Sequence, residues 1–237
     1  MPLHNGSFQV VLFEELDIER NDWDGVQILS ISIPSLKRLS IVFSGDEIDH
    51  ENETKINTPK LGYLRKGHKV LLNHDDLIFK YLSRLELGTA IWIDWSLLPI
   101  LLESAPNLEV LVFPEGLVFP KNDGNFSRFS WTYSPSPENI PKCLKFRLKT
   151  IEIRNFVGAP SELYLMKFLL MSSKVLQRMV IHHFDFSGKW EKSIYSTCRR
   201  GEITSLPRAS QASPNQSANI TASINSILIL NGTNFKA

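Results

Sequence analysis

The chain has 237 residues, 43% hydrophobic and 22% charged, enough for one sizeable domain or two small ones and unlike a disordered or coiled-coil composition. Lys and Arg total 26 against 25 Asp and Glu, so the concentrated basic field that draws nucleic acid or anionic lipid is missing, and neither is an expected partner. Two cysteines, Cys143 and Cys198, exclude a disulfide framework and lack zinc-site spacing, and no apolar run approaches the ~20 residues that span a bilayer.

From the N-terminus, the opening MPLHNGSFQV lacks a basic region followed by an apolar core, so no secretory signal is expected. A cytoplasmic or nuclear location is therefore the expectation, and the Asn-x-Ser/Thr sequons read as chance products of an Asn/Ser/Thr-rich chain. A short phrase, apolar-x-x-apolar-x-apolar, then begins to recur. It is met at Phe13, Leu16, Ile18; at Leu36, Leu39, Ile41; and, without its last member, at Leu61, Leu64. It returns at Leu82, Leu85, Leu87; at Leu108, Leu111, Phe113; at Leu148, Ile151, Ile153; and at Leu176, Met179, Ile181. The first members lie 23, 25, 21, 26, 40 and 28 residues apart, and five of these six steps fall in or near the spacing of leucine-rich repeats.

This period has a physical cause. The last two apolar residues of each phrase are two apart, so they share one side of a short strand. One such strand cannot bury that side alone, but strands stacked at a fixed period cover one another and build a continuous core. The first apolar residue lies on the turn leading in, and Pro34, Pro59 and Pro106 stand just ahead of it. The return path uses the remaining residues of each period, and LLPILLESA (97–105) predicts a helix there. The repeats are irregular: the Asn or Cys of a regular leucine-rich turn fits only at Asn21, the matching positions being Ser44, Ala90, Gly116, Phe156 and Phe184.

The long step between 108 and 148 holds Pro120, Pro135, Pro137 and Pro141 with Asn-Asp-Gly punctuation, which predicts an irregular excursion. After it come strand LKTIEI, a turn at Gly158–Pro160, a helix capped by Ser161, and strand LQRMVI. Strand, crossover, strand predicts parallel pairing. Past Ser210 the periodicity stops in a tract rich in Ser, Asn, Ala and Thr, for which disorder is expected, with INSILIL as one possible short strand.

The order of Trp131, P-x-C-L at 141–144, LKTIEI-x-N-F-x-G, EL-x-L-x-K-F-L-L, S-x-V-L-Q-R-M-V-I and SLPRAS (205–210) resembles the FBD domain of plant F-box/leucine-rich-repeat proteins. IPSLKRLSI, INTPKLGYL and LLESAPNLEVLVF resemble the repeats that precede it there. The resemblance implies an α/β fold: an irregular leucine-rich-repeat solenoid of stacked parallel strands, closed by a C-terminal FBD strand–helix–strand unit. The implied divisions are degenerate repeats over 8–118, an irregular insertion over 119–140, the FBD domain over 141–210 and a disordered tail over 211–237. Members of that family act as substrate-receptor subunits of SCF-type (cullin-RING) ubiquitin ligases, their F-box docking on a Skp-type adaptor. Repeat-like FQVVLFEELDI begins almost at once after Met1, so the F-box is absent from the sequence and adaptor docking is not expected. A truncated paralogue, an incomplete gene model or a non-functional remnant are the corresponding readings.

The chain has no glycine-rich phosphate loop, no Gly-x-Ser-x-Gly elbow and no His-Glu-x-x-His. Neither a cofactor nor an enzymatic activity is expected. Cys143 with His182 or His183 reads as structural rather than as a thiol–imidazole pair, and HDD (74–76) as a solvated turn ahead of a helix. Trp92, Trp95 and Trp131 read as packing residues before they read as partner anchors. The residues between the apolar positions face away from the core. Among them Lys37, Arg38, Arg65 and Arg84 predict a basic stripe beside an acidic end at Glu14, Glu15 and Asp17. With Tyr63, Glu86, Lys149, Glu152 and Arg178 they are the candidates for binding an unknown protein target through an acidic patch. The competing readings are a solvated face and, from another class, a small-molecule receptor or enzyme on the same scaffold.

Overall fold

The computed structural model describes residues 13–21, 28–44, 52–66, 70–72, 78–88, 98–117, 139–183, 220–223 and 227–231. Most of its strands lie in one open, largely parallel sheet. In chain order these are β1 (Glu15–Asn21), β3 (Arg38–Ser44), β5 (Tyr63–Lys66), β7 (Arg84–Leu87), β8 (Val110–Phe113), β9 (Thr150–Phe156) and β10 (Arg178–His183). Each pairs in parallel with the next of this series. Three further strands, β2 (Ile28–Ile31), β4 (Asn52–Ile56) and β6 (Val70–Leu72), form a second parallel sheet.

The recurrent phrase sets the register. Leu16, Leu39, Leu64, Leu85, Leu111, Ile151 and Met179 are partners in one continuous row across the seven strands. All but the outermost, Leu16, are fully buried. Two positions on, Ile41, Leu87, Phe113, Ile153 and Ile181 make a second buried row on the same side of the sheet, as the two-residue strand period requires. Burying one such side chain contributes about 1.5–3 kcal/mol. The rows therefore account for the repetition of the phrase.

The turns repeat as faithfully. The amides of Leu36, Leu61, Leu82 and Leu108 donate to the carbonyls of Ile33, Thr58, Phe79 and Ala105, three residues back. Pro34, Pro59 and Pro106 occupy the second position of three of these turns, where the ring's fixed φ is already the one required. Each turn drops its leucine into the core: Leu36, Leu61, Leu82 and Leu108 are fully buried. The next link joins strand to strand. One carbonyl accepts from two successive amides of the following strand's lead-in, and this fork recurs at Glu14, Lys37, Gly62, Ser83, Glu109 and Lys149. The forked carbonyls satisfy backbone groups that would otherwise be orphaned at the sheet margin.

The other wall of the core changes along the chain. Toward the N-terminal side it includes Ile31 and Ile56 of the second sheet; further on it is helical. Helix α1 (Leu98–Glu103) buries Leu98, Leu101 and Leu102, and helix α2 (Lys142–Phe146) buries Cys143 and Leu144. Helix α3 (Pro160–Ser172) crosses from β9 to β10 and buries Leu165, Met166, Phe168, Leu169 and Leu170. The helix predicted within 97–105 is thus present as α1. The earlier periods return through short strands instead.

Two expectations are corrected. Ser161 does not cap α3: the cap position is Ala159, with Pro160 as the first helical residue. The capping group is the buried carboxylate of Glu162, which accepts from the amides of Ala159 (2.9 Å) and Val157 (3.2 Å). A proline at the first helical position removes one donor, and a glutamate two residues later reaches back to the amides at and ahead of the cap position. Nor is the whole of 211–237 without structure. Ile220–Ser223 (β11) and Ile227–Asn231 (β12) extend the large sheet antiparallel, β12 pairing with β10. The sheet accordingly runs on past the strand–helix–strand unit and does not end there. Most of the 119–140 excursion, Trp131 included, together with Trp92, Trp95, the 74–76 turn, Cys198 and SLPRAS, lies outside the described residues.

Candidate functional site: the outward face of the sheet

With the apolar rows turned inward, the intervening residues of each strand line the opposite face. Register places Glu15, Arg38, Tyr63, Arg84, Val110, Thr150 and Arg178 in one row. Asp17, Ser40, Arg65, Glu86, Val112, Glu152 and Val180 form the row beside it. Nine candidate residues therefore fall into two groups. Lys37, Arg38, Tyr63, Arg65, Arg84 and Glu86 lie on or beside β3, β5 and β7. Lys149, Glu152 and Arg178 lie on or beside β9 and β10, with Val110 and Val112 of β8 between the groups.

The face is not a plain basic stripe, because several of its cations are paired. Lys37 Nζ lies 2.6 Å from Glu14 Oε1, and Lys149 Nζ lies 2.9 Å from Glu109 Oε1. In both pairs the partner belongs to the preceding strand's lead-in, more than twenty residues back. Arg84 donates to Glu86 Oε1 from Nε (2.9 Å) and from its terminal nitrogen (2.7 Å), two residues along the same strand. Arg154 donates to Glu152 in the same way at 2.8 Å, and His182 Nε2 stands 3.4 Å from the same carboxylate oxygen. Arg154 and His182 thus belong to the second group, although sequence reasoning missed them. The acid–base spacing of two that joins Arg84 to Glu86 was the available signal for Arg154.

Arg38 and Arg65 differ: neither has a carboxylate partner among the described residues. The Arg38 guanidinium instead lies over the Tyr63 ring, 4.0 Å from its centroid, a cation–π contact. The Tyr63 hydroxyl donates to Glu86, and its pKa is raised first by burial and then by that carboxylate; the charges of Arg38 and Arg65 pull the other way. Both guanidinium groups are therefore electrostatic neighbours of one phenol.

Cys143 is accounted for by packing. Its thiol donates to the Leu102 carbonyl (3.2 Å), fastening α2 to α1. Burial pushes its pKa up to about 12, which leaves it protonated and unfit as a nucleophile near neutrality. Among the described residues no cluster of three or more His, Cys, Asp or Glu is arranged to hold a metal ion. Among the same residues no helix is long and apolar enough to cross a membrane.

The strand–helix–strand unit at the C-terminal side of the ladder coincides with a recognised family. Residues 136–181, which include α2, β9, α3 and most of β10, match the FBD family. Over longer stretches the chain is similar to proteins of Arabidopsis thaliana. An FBD-associated F-box protein is 33% identical over 104 residues, 44% of this chain and 20% of the relative. A putative FBD-associated F-box protein is 25% identical over 217 residues, 70% of this chain and 49% of the relative. A third, again an FBD-associated F-box protein, is 26% identical over 225 residues, 80% of this chain and 52% of the relative. The chain is thus similar to plant F-box/FBD/LRR proteins, and its residues 136–181 carry the FBD match. It spans about half the length, or less, of these relatives. No solved structure matches it.

Proposed function

We propose that this chain is a non-enzymatic protein-binding module, the target-holding part of a receptor of the SCF ubiquitin-ligase type. The proposed architecture is an irregular leucine-rich-repeat solenoid whose C-terminal side is the FBD strand–helix–strand unit. Its binding surface is the outward face of the large sheet, with Lys37, Arg38, Tyr63, Arg65, Arg84, Glu86, Lys149, Glu152 and Arg178 as contact residues. A cytoplasmic or nuclear location goes with this reading, and docking on a Skp-type adaptor is assigned to none of the described residues.

One observation carries the proposal. Seven parallel strands in continuous register hold two groups of charged side chains, with Tyr63 among them, on the side away from the core. Side chains fixed on strands lose little further freedom on binding, and that preorganisation favours affinity. Mixed charge at a surface directs partner choice more than it adds raw affinity. The relatives' names, which join F-box to FBD, favour a receptor role over catalysis.

The test is affinity purification from plant cells under proteasome inhibition, with the wild-type chain and the variant Arg38→Glu/Arg65→Glu/Arg84→Glu side by side. Proteins lost from the variant are purified and titrated against both chains. A target that binds the wild type directly and the variant at least about tenfold more weakly supports the reading. Undiminished binding by a variant of unchanged far-UV circular dichroism overturns it.

A further inference from the structure

The pair of arginines without carboxylate partners poses a question that the paired cations do not. Arg38 is aligned with Tyr63, and Ser40 with Arg65, so Arg38 and Arg65 are diagonal neighbours on one face of β3 and β5. Diagonal positions of this kind lie roughly 7–8 Å apart, within mutual reach of long side chains. Two carboxylates stand in directly opposite positions that would let them neutralise these arginines. Glu15 is aligned with Arg38 across β1 and β3, and Glu86 with Arg65 across β5 and β7. Neither does so. The Arg38 guanidinium leans toward β5, onto the Tyr63 ring. Glu86 is engaged by both nitrogens of Arg84 and by the Tyr63 hydroxyl.

Tyr63 is therefore at once a platform for one guanidinium and a clamp on the acid that would otherwise attract the other. Its hydroxyl also feels the charges of both arginines, whose positions on β3 and β5 are diagonal neighbours. Arg65 is only partly exposed, and its partner in the register, Ser40 of β3, is buried. We propose that Arg38, Tyr63 and Arg65 form a binding site for a single oxyanion, an acidic or phosphorylated side chain presented by an extended segment of the protein target. The proposal rests on the target-binding reading above and names the chemistry of its central contact. Two guanidinium groups with fixed donors suit an oxyanion better than a diffuse negative surface does, because each gives charge-assisted hydrogen bonds of defined geometry. Glu15 and Asp17 on the neighbouring strand oppose the anion, which sets the direction of one control.

The experiment uses the full chain and three probes: inorganic phosphate, N-acetyl-phosphoserine methylamide and N-acetyl-glutamate methylamide. The side-chain Nε–Hε signals of the arginines are followed by NMR at constant ionic strength, with Arg178, an exposed cation farther along the same face, as reference. The expected result is that Arg38 and Arg65 respond together with one dissociation constant while Arg178 does not. Arg38→Gln and Arg65→Gln each weaken binding about tenfold or more, the double variant is little worse than either, and Glu15→Gln strengthens it. Tighter binding of the phosphoserine probe identifies a phosphorylated side chain as the source; equal binding identifies an acidic one. Separate affinities for the two arginines, or equal responses at Arg178, overturn the site. Because these probes are independent of the cellular target, loss of the oxyanion site leaves the broader reading to its own capture experiment.

Discussion

Leu85 is the residue on which the stacked-strand account can be tested most sharply. It is fully buried, and register places it between Leu64 and Leu111. Leu85→Ala removes three carbons from a row whose neighbours are themselves fully buried and held by strand pairing, so the surroundings have little room to collapse. Leucine-to-alanine changes in such settings cost about 2–5 kcal/mol, and ~3 kcal/mol is expected here. Leu16 has the same place in its phrase but lies on β1, which among the described residues has a strand on one side only, and its side chain is only partly buried. Leu16→Ala is expected to cost ~1 kcal/mol, since less apolar surface is returned to water. Equilibrium urea unfolding followed by far-UV circular dichroism measures both. With a slope of ~2 kcal/mol per molar urea, the midpoints fall by ~1.5 M and ~0.5 M with the slope unchanged. A Leu85→Ala shift no larger than that of Leu16→Ala refutes the argument, because it means that the strands do not cover one another in series.

Two further outcomes follow from local geometry. Gly116, at the turn after β8, has φ +96°, and a Cβ built there would lie 2.9 Å from the Arg154 carbonyl oxygen of β9; Gly116→Ala should therefore lower stability by about 1–3 kcal/mol in the same urea assay. Because the folded chain holds the Cys143 proton far more tightly than the usual thiol value of 9.0, up to about 12, native Cys143 in a Cys198→Ser background should resist a thiol reagent at pH 8 and react only on unfolding. The same upward shift contributes stability that is complete below pH 9 and is lost progressively as pH rises toward 12. That loss is read as the difference in urea midpoint between this chain and Cys143→Ala across the window.

How much of this was legible in the sequence depended on whether a feature is local in period. The inward rows were readable because a strand alternates every two residues and each turn delivers a leucine two places before the strand begins. Leu36, Leu61, Leu82 and Leu108 were found for that reason, while the parallel relation of β9 and β10 followed from the strand–crossover–strand order. The interruption at Leu61–Leu64 was also visible: the place of the phrase's last apolar residue is taken by Lys66, which register aligns with Ile41 and Leu87. The second sheet was not readable. ILSI, NETKI and VLL are too short to show a period, and Asn52–Ile56 is polar enough to resemble a turn. Helix α2, five residues long, is likewise below the length at which a helical repeat can be counted. Ser161 was the natural cap by residue type, yet Glu162 won because its longer side chain returns to two buried amides.

The charge pattern shows most clearly what only register reveals. Glu14 and Lys37 are 23 residues apart, and Glu109 and Lys149 are 40 apart, yet each pair occupies adjacent positions of one column. It is the column whose carbonyls fork to the next strand. Read along the chain, Lys37 joins Arg38, Arg65 and Arg84 in a basic stripe; read across the strands, it is cancelled by Glu14. Lys37 and Glu14 are 60% and 55% exposed, and such pairs contribute about 0–1 kcal/mol in water, against ~3 kcal/mol for a leucine of the inner row. Stability therefore does not explain why the outward face is charged, and it leaves that face free to vary without loss of the fold. The pairs do have another consequence. By neutralising Lys37, Arg84 and Lys149 they remove the diffuse attraction a basic stripe would exert on any anion. Arg38 and Arg65 stay without a carboxylate partner among the described residues, set apart from the exposed Arg178 farther along the face, and a face whose unpaired cations are localised in this way selects partners by where they carry negative charge rather than by how much.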